Sequence, residues 1–105
     1  MKFIETPIFT RAIRRLLSAE QYRALQLALL LRPEQGDVMI GGGGLRKIRW
    51  SLRDKGKRGG VRVIYYWDVK QETFYMLLAY SKSQQEDLTT DQIKILKRLI
   101  REEFK

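Results

Sequence analysis

Four consecutive glycines, Gly41 to Gly44, divide the chain into two parts that obey different hydrophobic periods, and that break limits the fold more than any other feature. Before it, apolar residues recur every three or four positions; after it they alternate, as expected of helices and then strands about a flexible hinge. In the first part, Lys2 to Glu5 reads as a short strand. Thr6-Pro7 then predicts a helix start, with Thr6 as the cap and proline at the first helical position, where its missing N–H costs nothing. Phe9, Ile13, Leu16 and Leu17 follow at helical spacing. Ser18 begins a second helix, with Gln21 at the capping-box position. Tyr22, Leu25, Ala28 and Leu29 form its buried stripe, and Pro33 with Gly36 ends it. The two helices make an antiparallel hairpin or one broken helix.

In the second part, Leu45 to Leu52 alternates, with Ile48 and Trp50 on one face and Lys47 and Arg49 on the other. Asp54 to Gly60 reads as a mobile basic loop. Val61 to Trp67, rich in β-branched and aromatic residues, is the strongest strand. A polar turn, Asp68 to Glu72, leads into a third strand from Thr73 to Tyr80. Thr89 caps a last helix with Gln92 at the capping-box position, Ile93, Leu96, Ile100 and Phe104 down one side, and Lys94, Lys97, Arg98 and Arg101 on the other. The order β-α-α-β-β-β-α predicts an α+β fold, a small antiparallel meander packed against N-terminal helices and a C-terminal helix. With 105 residues, 44% of them apolar, it should be one domain over residues 1–105 with a modest core.

The absence of cysteine removes disulfides and thiolate chemistry, and the absence of histidine removes the commonest general base and metal ligand. Catalysis would have to run on lysine, arginine, tyrosine or carboxylates, and no metal or cofactor is expected. Glu5 follows Phe3-Ile4 and the longest aliphatic run is Leu27 to Leu31, so neither a signal peptide nor a membrane span is expected and the chain reads as cytoplasmic. Twenty-one basic residues against twelve acidic ones leave a net charge of +9. Residues 45–62 alone carry Arg46, Lys47, Arg49, Arg53, Lys55, Lys57, Arg58 and Arg62 against Asp54, a local net of +7. Surfaces usually interleave both signs, so this segment argues for a polyanion footprint.

The meander gathers these cations. Lys47 and Arg49 share a strand, Arg62 opens the next, the loop with Lys55, Lys57 and Arg58 joins them, and Tyr80 with Lys82 closes the third. Neighbouring strands lie about 4.8 Å apart, close enough for Arg46, Lys47, Arg49, Lys55, Arg58 and Tyr66 to line one nucleic-acid-binding patch. Lys47 and Arg49 alone would read equally as a solvated outer face; the local charge and the glycine-flanked loop favour nucleic acid. Trp50, Tyr65 and Trp67 fit core packing. Tyr66, on the face of Arg62 and Ile64, fits packing or base stacking, and Tyr80, ahead of Ser81-Lys82-Ser83, is the expected exposed phenol. Surrounding cations would lower a lysine's pKa by repulsion and a tyrosine's by stabilising its phenolate. Glu86 and Asp87 are expected to serve the last helix's dipole. Gly42 to Gly44 lack the Lys-Ser/Thr and helix that a phosphate loop requires.

Three segments, Gly43-Gly44-Leu45-Arg46-Lys47-Ile48-Arg49, Gly56-Lys57-Arg58-Gly59-Gly60-Val61-Arg62-Val63-Ile64-Tyr65-Tyr66 and Tyr75-Met76-Leu77-Leu78-Ala79-Tyr80-Ser81-Lys82, resemble RelE/HigB-type toxins of bacterial toxin–antitoxin pairs. The resemblance spans nearly the whole chain and includes Asp87-Leu88-Thr89 before a final helix. It implies a RelE-like fold and an endoribonuclease that cuts mRNA on the ribosome, silenced by a cognate antitoxin, expected here as a helix-turn-helix, HigA-like protein. It makes Lys47 and Arg49 RNA-binding and activating residues, sets Arg62 against the scissile phosphate, and places Lys82 in a further basic segment. Some relatives carry a catalytic tyrosine near the start of the last helix, but Asp87-Leu88-Thr89-Thr90 contains none. Tyr80 or Tyr66 would then substitute, or Lys57 or Lys82 would transfer the proton. Two other readings stay open: a non-catalytic basic nucleic-acid-binding module, and a ParE-like toxin directed at gyrase.

Overall fold

The computed structural model describes residues 1–51 and 60–103, with Glu103 as backbone only. In chain order its elements are β1 (Lys2–Glu5), α1 (Pro7–Leu16), α2 (Ala19–Leu31), β2 (Asp37–Val38), β3 (Arg46–Trp50), β4 (Val61–Asp68), β5 (Thr73–Ser81) and α3 (Thr90–Glu103). The expected α+β architecture is present. All three helix starts carry the caps read from sequence: the Thr6 hydroxyl accepts from the Phe9 N–H, and Ser18/Gln21 and Thr89/Gln92 each form a reciprocal capping box. Losing such a cap typically costs about 1 kcal/mol.

The five strands lie in the order β1-β5-β4-β3-β2. Antiparallel β3-β4-β5 form the expected meander, flanked by two unexpected edges. β1 pairs parallel to β5, which four residues of sequence could not reveal. β2 is a two-residue strand with both side chains exposed, too short to show alternation. The glycine run, expected as a loose hinge, is the tight β2–β3 turn. Gly41, Gly43 and Gly44 have φ of 72°, 66° and 103°, and the Met39 and Leu45 backbones bond across it. Only glycine adopts three such angles in close succession at little cost.

The sheet is covered on both faces. The α1–α2 hairpin buries Phe9, Ala12, Ile13, Leu25 and Leu29 against Ile48, Val61, Val63, Tyr65, Phe74, Met76 and Ala79, with Trp50 and Trp67 at the margin, as expected. On the other face α3 brings Leu96 and Ile100 onto Leu45, Ile64, Tyr75, Leu77 and Tyr80. Tyr65 ties α2 to the sheet: its hydroxyl donates to the Pro33 carbonyl (2.8 Å) and accepts from the Gly36 N–H (3.0 Å). Among the described residues no helix is long and apolar enough to cross a membrane.

A bulge in β5 decides which side chains share a face. Ile64 pairs with Leu78 but Tyr65 pairs with Met76, so Leu77 is an extra residue. Leu77 and Leu78 both turn toward α3, and beyond them the alternation is inverted, with Ala79 in the α1–α2 core and Tyr80 in the α3 core. The carbonyl of the extra residue is satisfied by the Thr6 hydroxyl at 2.8 Å, so the cap of α1 also fastens the bulge.

Candidate nucleic-acid interface

On the α3 side of the sheet, beyond the helix's N-terminus, Arg49, Arg62 and Tyr80 lie in register on three successive strands. Arg49 is exposed, Arg62 is only 9% exposed and Tyr80 4%. Two guanidinium-bearing residues directly opposite each other repel, yet neither has a carboxylate partner among the described residues, where the ion pairs are Arg46–Glu34 and Lys47–Asp87. Such a pair is relieved by an anion between the guanidinium groups, and a phosphate matches their planar donor geometry. Gly60 makes room for the inner arginine: a Cβ there would lie 2.9 Å from Arg62 Nη1.

The Tyr80 hydroxyl is buried and has no hydrogen-bond partner among the described residues. Its pKa moves above the usual phenol value, first because of burial and then because of the nearby Asp87 carboxylate, which together outweigh the lowering by Arg62. Tyr80 is therefore a neutral donor at physiological pH. This corrects two expectations, that Tyr80 is an exposed phenol and that neighbouring cations lower its pKa. Two residues along β3 from Arg49, Lys47 Nζ reaches Asp87 Oδ1 at 3.3 Å. The same oxygen accepts the Leu88 N–H at 2.8 Å, and that bond, ahead of Lys47, holds the Asp87 carboxyl below its ordinary range. Asp87 thus braces the turn before α3 and orients Lys47, whereas Thr89 serves the helix terminus itself.

Of the residues singled out from sequence, Lys47, Arg49, Arg62 and Tyr80 share this face. Lys82 is exposed just after β5, and its N–H bonds the Gly60 carbonyl at 3.3 Å, beside the glycine that accommodates Arg62. Tyr66 is on the same face but half-buried, its ring 2.9 Å from where a Gly44 Cβ would stand, so it packs the β2–β3 turn. Arg46 does not belong to the patch. It points to the α2 side, where Nη1 donates to the Glu34 and Gly36 carbonyls at 3.0 and 2.8 Å and the guanidinium pairs with the Glu34 carboxylate. Lys55, Lys57 and Arg58 lie outside the described residues. Gly60 and Asp87 were missed as site residues, although the carboxylate just ahead of the last helix was a visible signal.

The protein is similar to known toxins in both sequence and shape. Residues 1–105 match the family model described as the RelE toxin of the RelE/RelB toxin–antitoxin system. Among solved structures, a double arginine-to-alanine mutant of E. coli toxin RelE in the free state superimposes with a TM-score of 0.54, at 19% identity over 80% of this chain and 85% of that one. At that identity the likeness speaks for the fold.

Proposed function

Since the chain belongs to the RelE toxin family, and so is the toxin of a toxin–antitoxin pair, we propose that it is an endoribonuclease that arrests translation by cutting mRNA on the ribosome, in the cytoplasm. The observation that carries this reading is the row of Arg49, Arg62 and Tyr80, two opposed cations and a neutral buried donor with no acid paired to either cation among the described residues. RNA brings its own nucleophile. The 2′-hydroxyl loses its proton and attacks the adjacent phosphorus, the bond to the 5′-oxygen breaks, and that oxygen takes up a proton as it leaves. Arg62 and Arg49 hold the phosphate and offset the charge that develops on it, with Lys47 released from Asp87 to join them. Tyr80 donates a hydrogen bond to a phosphoryl oxygen, and Lys82 or Lys57 transfers the protons. Positioned acid–base groups contribute about 10²- to 10⁴-fold, so most of the acceleration falls to the cations and to in-line placement of the RNA.

The family implies an antitoxin partner; we propose a helix-turn-helix, HigA-like protein that covers this face. The direct test adds the purified toxin to a translating bacterial extract and maps mRNA ends by primer extension. New ends inside reading frames are expected with the native chain and their loss with Arg62→Ala. Arrested translation with intact mRNA would reduce the site to a non-catalytic binding surface.

A further inference from the structure

The described helix α3 carries a second concentration of positive charge that the row above does not use. Lys94, Lys97, Arg98 and Arg101 occupy positions i, i+3, i+4 and i+7, so all four stand on one side of α3. Together they line a shallow depression of about 180 Å³. Like charges at these spacings destabilise a helix, and no acidic residue among those described forms an ion pair with any of the four. The stripe is also held in place. Leu96 and Ile100 on the opposite side are buried against the sheet, and the Lys97 stem passes over Gly43, where an added Cβ would lie 3.5 Å from it. The helix starts just after Asp87, which pairs with Lys47, so the stripe leads away from the cationic row along the same side of the sheet.

Resting on the reading that this chain acts on RNA, we propose that α3 is a second, non-catalytic RNA-binding surface that grips the phosphate backbone of folded RNA through Lys94, Lys97, Arg98 and Arg101. Seven residues of helix span about 10 Å at roughly 1.5 Å per residue, a length along which a duplex presents several phosphates. The depression is lined by these four cations and no apolar side chain. Protein partners anchor on buried aromatic or apolar residues, so the lining favours a backbone polyanion over an acidic protein. Phosphate contacts position without reading sequence. The stripe would therefore dock the toxin on structured RNA while the row handles the strand that is cut.

The test is the full chain carrying Lys94→Gln, Lys97→Gln, Arg98→Gln and Arg101→Gln, with circular dichroism to confirm its fold, titrated against a fluorescent RNA hairpin by anisotropy at several salt concentrations. Four lost contacts should make the salt dependence shallower, so that from about 50 to 200 mM salt the native chain loses about 100-fold more affinity than the variant. Lys94→Arg with Lys97→Arg should bind as the native chain does. An unchanged slope in the Gln variant, with mRNA still cut by the native toxin, overturns this surface alone. A native chain that neither binds the hairpin nor cuts mRNA overturns the RNA reading itself. Loss of antitoxin binding without any change in RNA binding assigns the stripe to a protein partner and overturns the proposal.

Discussion

Replacing Tyr80 by phenylalanine should make the protein more stable and less active. The ring contributes to the core shared with Leu88, Leu96 and Ile100, and phenylalanine retains that packing. What disappears is a buried hydroxyl with no partner among the described residues. Leaving such a group unsatisfied costs about 1–3 kcal/mol; taking about 1 kcal/mol as the gain, the Tm should rise by roughly 4–8 °C for a domain of this size. Thermal melts followed by circular dichroism at pH 7 measure it. The pH dependence gives an independent check. Because the folded phenol holds its proton above its usual value, the native chain has the full stability of that group below about pH 10 and loses it as pH rises further. The gap between variant and native chain should therefore widen above about pH 10. In the translating extract, cleavage should fall by about 10²-fold, the lower range for losing one hydrogen-bond donor to developing charge. A Tm that stays level or falls would mean the hydroxyl is already satisfied in the free protein, and the inference that it is reserved for RNA would fail.

Gly60→Ala should leave the stability within about 0.5 kcal/mol of native, as most surface changes do, because the atom it meets is the movable tip of Arg62. The same change should nonetheless reduce mRNA cleavage by displacing that guanidinium; full activity would remove Gly60 from the site. Asp87→Asn should lower the Tm slightly at neutral pH. The Asp87 carboxyl is held below its ordinary range, so it stabilises the fold above about pH 4 and loses that contribution as the pH drops through its folded value; melts at pH 3 and 7 should show the difference shrink in acid. Gly36→Ala puts a Cβ 2.8 Å from the Tyr65 ring and hydroxyl and should destabilise by about 1–3 kcal/mol as overpacking, measured by urea unfolding. Leu25→Ala, at a fully buried position of α2, should cost about 2–5 kcal/mol in the same assay.

The helices were legible because their signals are local. Thr6-Pro7, Ser18 with Gln21 and Thr89 with Gln92 each name a cap within four residues. The meander was legible because Val61 to Trp67 is strongly β-forming and Lys47 and Arg49 alternate with Ile48 and Trp50. The same alternation already placed Arg46 with Ile48, opposite Lys47, so its separation from the patch was readable and was obscured by counting charge along the segment. Other features depended on long-range contacts. The parallel pairing of β1 needs residues some seventy positions away. The bulge was hidden because both residues at the phase slip are leucine, which suits either face. Tyr80 looked exposed beside Ser81-Lys82-Ser83, but Leu88 and α3 fold back over its ring.

The extra residue in β5 carries a consequence for how the chain tolerates change in length. Removing either Leu77 or Leu78 would only erase the bulge, with Met76, Ala79 and Tyr80 kept on their present faces, whereas adding one residue between Leu78 and Ala79 would shift the two-residue repeat by one as far as Ser81. The phenol would then turn inward among the hairpin helices, and Ala79 and Ser81 would face the arginines in its place. A one-codon insertion at this point would thus turn the end of the strand inside out, silencing the toxin while leaving its composition, charge and helices almost untouched.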